Sequence, residues 1–287
     1  MASTKTNTVA ADGLKIFYRE AGQEGKPVIL LLHGFPSSSH QFRNLIPLLS
    51  SKYHILAPDL PGYGFTEVPD SRKYVYTFEN LTTSIEAFLD ALNIKKFSFY
   101  AFDYGAPTGF RLALRRPDAI QSIISQNGNA YEEGLGEEFW KPVRELWANP
   151  TKEIREQIKS AVLTLETTKW QYVNGSKSSV APETYWLDYT LFSREGNKDI
   201  QADLLYDYGS NLPLYPQFHD YFRKSQVPIL AAWGKNDTIF VPPGAEAYKK
   251  DSKKAEVHLL DAGHFAVETE TKEIAELILQ FLAKHGI

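Results

Sequence analysis

Short apolar runs recur along the chain, and each closes on Gly, Pro, Asp or Asn. Residues 28–32 end at His33-Gly34-Phe35-Pro36, 53–57 at Pro58-Asp59-Leu60-Pro61-Gly62, and 97–102 at Asp103. Residues 120–125 end at Gln126-Asn127-Gly128, 228–233 at Gly234-Lys235-Asn236-Asp237, and 255–260 at Asp261-Ala262-Gly263-His264. Such runs, without clean alternation, suit strands buried on both faces, as in a parallel sheet. Between them the apolar spacing turns helical over 41–49, 78–92, 107–115 and 272–284. The last sets Ile274, Leu277, Leu279, Phe281 and Leu282 near one side. Residues 8–10 and 15–19, split by Asp12-Gly13, read as a hairpin on the sheet edge. Strand and helix in alternation, joined by right-handed crossovers, predict an α/β fold built on a doubly wound, mostly parallel sheet.

One stretch interrupts that alternation. Residues 131–223 hold half of the 16 tyrosines and four of the five tryptophans: Trp140, Trp147, Trp170 and Trp186. The concentration predicts a separately packed helical module whose aromatics form its core, line a pocket, or both. The expected organisation is a core from residues 1–130 and 223–287 with an inserted helical cap at 131–222.

Composition narrows the function classes. A hydrophobic fraction of 43% suffices for a full core, and a net charge of −4 without a basic cluster argues against a nucleic-acid partner. The absence of cysteine excludes disulfides and thiolate metal sites, and no His/carboxylate spacing suggests a metal; no cofactor is expected. The start, MASTKTNTVAADG, lacks a signal-peptide stretch, no run approaches membrane-spanning length, and the end, AKHGI, carries no address. These features predict a cytoplasmic protein without a membrane partner; a homodimer is left open.

The segment FYAFDYGAPTGF at 99–110 poses the chemical question. Asp is a poor strand former and is rarely buried unless paired, yet Asp103 closes an apolar strand just before a helix. It reads either as an N-cap or as a carboxylate kept for chemistry. In open parallel sheets, sites form at the carboxyl ends of strands, and three such ends carry Asp103, Asp237 and His264 in that order. Nucleophile, acid, histidine is the chain order of α/β-hydrolases.

The sequence resembles the α/β-hydrolase superfamily, in its Asp-nucleophile branch of epoxide hydrolases and haloalkane dehalogenases. His33-Gly34-Phe35-Pro36 resembles the oxyanion motif, and Asp59-Leu60-Pro61-Gly62-Tyr63-Gly64 the turn after the following strand. Ala101-Phe102-Asp103-Tyr104-Gly105-Ala106 fits the nucleophile elbow, with Ala101 where many relatives carry glycine. Trp233-Gly234-Lys235-Asn236-Asp237 and Gly263-His264-Phe265 resemble the acid and histidine loops. The resemblance implies Asp103 as nucleophile, His264 oriented by Asp237 as the base that activates water, and backbone N–H groups of Phe35 and Tyr104 as the oxyanion hole. Relatives sometimes place the acid one strand earlier, but Gln126-Asn127-Gly128-Asn129 offers no carboxylate, which favours Asp237. The N–H groups at the helix start are expected to keep Asp103 ionised. Asp59 and Asp261 are expected to pin turns, and His33 to order its loop.

A carboxylate suits displacement at saturated carbon, giving an alkyl-enzyme ester, because attack at acyl carbon would form an anhydride. Halide departure calls for indole or amide N–H groups, and epoxide opening for tyrosine hydroxyls. Dehalogenases of this branch often have Trp after the nucleophile; this chain has Tyr104. Tyr208 resembles the second cap tyrosine of epoxide hydrolases, with Gly209 in place of the usual arginine. Trp140, Trp147, Trp170, Tyr172 and Tyr189 complete the expected substrate-binding aromatics. The expected activity is epoxide hydrolase-like ring opening to a diol on a small apolar or amphipathic substrate, with water as co-substrate. The alternatives are haloalkane dehalogenase, another hydrolytic or bond-cleaving reaction on this scaffold, and a ligand receptor that keeps the triad.

Overall fold

The computed structural model describes residues 3–287. Eight strands form one sheet: β1 (Lys5–Ala11), β2 (Leu14–Ala21), β3 (Val28–Leu32), β4 (His54–Pro58), β5 (Phe97–Phe102), β6 (Ile120–Gln126), β7 (Ile229–Gly234) and β8 (Ala255–Leu260). Their order across the sheet is β1-β2-β4-β3-β5-β6-β7-β8, antiparallel through β1, β2 and β4 and parallel from β4 to β8. Every residue of β3, β4, β5 and β7 is buried, which is why their sequences show no alternation. The edge strand β1 alternates instead, as a strand with one wet face must.

Helices flank both faces: α1 (Leu45–Leu49), α2 (Phe78–Ala91), α3 (Gly105–Arg115), then six between β6 and β7, namely α4 (Glu137–Ala148), α5 (Lys152–Val162), α6 (Leu165–Val173), α7 (Pro182–Phe192), α8 (Asn197–Asp207) and α9 (Tyr215–Ser225), and finally α10 (Pro243–Asp251), α11 (Ala266–Thr269) and α12 (Thr271–Lys284). Phe78, Phe88, Phe110 and Tyr248 pack one face of the sheet, while Leu45, Ile278 and Phe281 pack the other. The helix expected over 41–49 is divided into a short turn at Ser39–Phe42 and α1. Pro47 has no N–H to give to the carbonyl of Arg43, which disfavours a helix continuous across it, whereas the first turn of α1 accommodates it.

The segment between β6 and β7 is helical throughout its regular structure. Its last helix packs onto the core: Phe218 and Phe222 of α9 each lie 5.5 Å from Phe110 of α3, centroid to centroid. The expected boundary at residue 222 therefore falls inside α9. Among the described residues, no helix is long and apolar enough to cross a membrane. The chain crosses from β3 leftward to β4 and then back to β5 on its right, so the carboxyl ends of β3 and β5 flank a topological switch point, where ligand crevices of open α/β sheets form.

Candidate active site

Asp103 follows β5 directly and takes φ of +47°, a left-handed conformation that costs a non-glycine residue of the order of 1–3 kcal/mol. Two glycines make the bend feasible. A Cβ on Gly105 would sit 2.3 Å from the Leu32 carbonyl oxygen in β3, and one on Gly34 would sit 2.4 Å from Asp103 Oδ1. The loop after β3 can thus close on the carboxylate. Phe35 N–H donates to Asp103 Oδ1 at 2.7 Å, and the backbone N–H of Tyr104 also serves the carboxylate.

Those donors do not hold the acid at an ordinary value. Asp103 is only 5% exposed, and burial pushes its pKa up to about 6 against the opposing pull of His264 and the two N–H groups. Desolvation outweighs the helix start, contrary to the expectation from the helix start alone, yet the group remains predominantly ionised at neutral pH.

His264, after β8, gives its Nδ1 to Asp237 Oδ2 at 2.8 Å, and its Nε2 lies 3.9 Å from Asp103 Oδ2. That separation exceeds hydrogen-bond range, and Nε2 is buried without any partner. Burial works against a charged imidazole here, but the Asp237 and Asp103 carboxylates outweigh it and raise its pKa. Asp237 is itself clamped: Ile239 N–H donates to Oδ1 at 2.7 Å and Asn127 Nδ2 to Oδ2 at 2.7 Å. Asn127 sits at the end of β6 with φ of +47°, and its Oδ1 accepts from Gly234 N–H at 2.8 Å and Gln126 Nε2 at 2.7 Å. Sequence reasoning dismissed this tip because it bears no carboxylate; what stands there is the amide that aligns the acid. The supporting turns behave as expected. Asp59 accepts from Ser39 N–H and Phe65 N–H, His33 Nε2 accepts from Leu60 N–H at 2.9 Å, and Asp261 ties Lys177, Lys235 and Asn236. Burial pulls His33 down to about 4, so it stays neutral.

A small cavity of about 20 Å³, room for roughly one water molecule, lies over Asp103, walled mainly by Phe35, Tyr104, Phe139, Trp140, Leu163 and Leu205, with Gln171 and Gln201 among its few polar neighbours. Of the expected substrate-binding aromatics, only Trp140 lies on this wall, and its indole N–H donates to the Ile239 carbonyl at 2.9 Å. The other five are displaced from it, each for a packing reason. Tyr208 is fully buried behind the wall, 4.6 Å from Trp140 and 5.7 Å from Tyr104, with its hydroxyl paired to Tyr215. Trp147 gives its N–H to the Leu205 carbonyl at 3.0 Å, and Trp170 stacks outside Phe139 at 6.4 Å. Tyr172 stacks on Phe265 at 3.8 Å and donates its hydroxyl to Asp188. Tyr189 turns toward Phe192 and Trp186 on α7. Gln171 and Gln201 escaped notice because isolated glutamines on helices carry no sequence signal.

A family profile described as the alpha/beta hydrolase fold matches residues 27–271. The chain belongs to the α/β-hydrolase fold family. An uncharacterized hydrolase of Saccharomyces cerevisiae is 50% identical over 279 residues, covering 96% of this chain and 95% of that protein. Among solved structures, a haloalkane dehalogenase from Bradyrhizobium elkani superposes with a TM-score of 0.81 at 23% identity, covering 99% of each chain. An epoxide hydrolase from Vigna radiata gives a TM-score of 0.75 at 24% identity, covering 98% of each chain. The two structures share the fold with this α/β hydrolase and leave its chemistry to the residues around Asp103.

Proposed function

We propose that this α/β hydrolase opens epoxides to diols through an ester on Asp103. The observation that carries the reading concerns which donors are free. The cavity-lining indole of Trp140 and the neighbouring indole of Trp147 have both committed their N–H groups to backbone carbonyls, so neither indole is free to hold a departing halide. The phenol of Tyr104 lines the cavity, and burial, followed by the Asp103 and Asp207 carboxylates, raises its pKa well above the ordinary value. It therefore stays protonated and able to donate.

In the proposed sequence, an Asp103 carboxylate oxygen attacks an epoxide carbon, the ring C–O bond breaks, and the released oxygen takes the Tyr104 proton. His264 Nε2 then removes a proton from water, whose oxygen attacks Asp103 Cγ. The N–H groups of Phe35 and Tyr104 hold the resulting oxyanion, a contribution of about 3–4 kcal/mol per donor in related holes. Collapse breaks the ester bond, and the departing alkoxide takes the proton from His264. The carboxyl proton left on Asp103 returns to the Tyr104 phenolate, and the diol leaves. The second reading, haloalkane dehalogenase, is favoured by the amide N–H of Gln171, which lines the cavity without a partner and is a donor of the kind a departing halide takes.

The test incubates the His264→Gln protein with styrene oxide and, separately, with bromobutane. The expected result is a styrene oxide adduct on the Asp103 peptide by mass spectrometry, with diol from the wild-type protein. Bromide release without diol would establish the dehalogenase reading instead. An unmodified peptide with both compounds, and no turnover by the wild type, would overturn covalent catalysis at Asp103.

A further inference from the structure

On each of two cavity-lining glutamines one amide atom is left without a partner. Gln171 of α6 is 2% exposed and its Nε2 has no hydrogen bond; Gln201 of α8 is 1% exposed and its Oε1 has none. The orientation of Gln201 is set by its own Nε2, which donates to the Gly62 carbonyl at 3.1 Å and leaves the oxygen as the free end. Both side chains line the cavity that holds Asp103. Buried polar atoms in native proteins almost always find a partner, and an orphan in a cavity calls for an occupant that supplies one. Neither residue touches the triad or the oxyanion donors through any hydrogen bond of the structure, so the reaction as derived does not use them.

Their chemistry is specific. Gln171 presents a donor and Gln201 an acceptor, on a wall otherwise made of Phe, Trp, Val, Leu and Ile side chains around Tyr104 and Asp103. No lysine or arginine lines the cavity, while Asp103 contributes an anion, so a negatively charged substrate would be repelled without compensation. We infer that Gln171 and Gln201 form a polar subsite that selects a neutral substrate bearing a hydroxyl or carboxamide on an apolar body. The substrate oxygen accepts from Gln171 Nε2, and its O–H or N–H donates to Gln201 Oε1. An analogue lacking either half leaves one buried amide unpaired, and sites built this way discriminate far more sharply than apolar pockets do. The inference deepens the proposed epoxide reading by naming the second functional group of its substrate, and it rests on that reading only for the reactive end.

A binding experiment separates the two. Hexanamide and its isostere methyl pentyl ketone are unreactive toward Asp103 and differ only in the amide donor. Isothermal titration of the wild-type chain should show hexanamide binding about tenfold more tightly than the ketone. Gln201→Leu should abolish that difference, because it removes the acceptor that only the amide uses. Gln171→Leu should weaken both ligands, because both offer a carbonyl to its donor. Equal affinity of the two ligands for the wild type, or a gap that survives Gln201→Leu, overturns the subsite. The wild-type comparison stands even where a variant fails to fold. On the kinetic side, a terminal hexene oxide carrying an ω-hydroxyl should exceed the unsubstituted oxide about tenfold or more in kcat/KM. Amide selectivity without adduct on Asp103 would keep the subsite and sink the epoxide reading; adduct formation without selectivity would do the reverse.

Discussion

In the proposed reaction, Asp103 serves chemistry at the expense of the fold. Its carboxyl is raised by burial to about 6 from an ordinary 3.8. The unfolded chain therefore releases this proton earlier than the folded one, and the contribution of this group to stability falls as pH rises from about 4 to about 6, then levels off. Above that window the buried charge costs roughly 1–3 kcal/mol. Asp103→Asn, which keeps the shape and tolerates the left-handed backbone, should stabilise the protein by about that amount at pH 7 and by almost nothing near pH 4. Urea denaturation at the two pH values checks this; equal effects at both would locate the gain in backbone or packing rather than in the charge. The same titration governs reactivity. Ester formation in single turnover should fall about tenfold per pH unit below pH 6, since only the carboxylate attacks.

The element scale supplies what the carboxylate cannot. The junction of β5 and α3 depends on Gly105 lying against the Leu32 carbonyl, a backbone atom with nowhere to go. Gly105→Ala should cost about 2–3 kcal/mol in urea denaturation and displace the elbow, with parallel loss of activity. The tip of β6 works differently. Asn127 bonds Asp237 and the Gly234 N–H at once, so in the proposed reaction it acts as a positioning residue, through Asp237, on His264. Asn127→Ala should lower kcat for ester hydrolysis by about tenfold or more while leaving adduct formation near its wild-type rate. A shifted pH profile of the hydrolysis step would mark the change as electrostatic positioning; loss of both steps together would indicate collapse of the site. Neither junction could be judged from element propensity, because each depends on an approach between strands far apart in sequence.

At the scale of the whole molecule, the inserted helices are tied to the loops after β3 and β8. Tyr172 of α6 stacks on Phe265, the residue after His264, and its hydroxyl reaches both Asp188 of α7 and Ser37 of the loop after β3. Asp188 is pushed up to about 8 by burial, with Tyr172 and Ser37 pulling the other way. Tyr172→Phe should leave that carboxyl short of a donor and destabilise the protein by about 1–3 kcal/mol. The raised carboxyl also makes stability fall as pH climbs from about 4 toward 8, so urea midpoints across that range should decline in the wild type, whereas in Asp188→Asn the decline left by Asp103 should end near pH 6.

Read alone, the chain determined its sheet, several of the helices that flank it, and the order of Asp103, Asp237 and His264 at the strand ends. Strands buried on both faces advertise themselves as unbroken apolar runs, and Asp103, Asp237 and His264 stand where those runs stop. Proline at 47 and the unexpected α10, which opens at Pro243, show where local punctuation misleads about element ends. The cavity wall was beyond such reading. Aromatic side chains in the inserted segment look alike in one dimension, and whether Tyr208 faces a pocket or Tyr215 depends on helices packing from several directions. Gln171 and Gln201 become conspicuous only once folding has stripped water from their amides and offered nothing in return. Periodicity encodes which residues are buried, since burial is a property of each strand or helix; tertiary structure alone decides which buried groups meet, because that is a property of pairs.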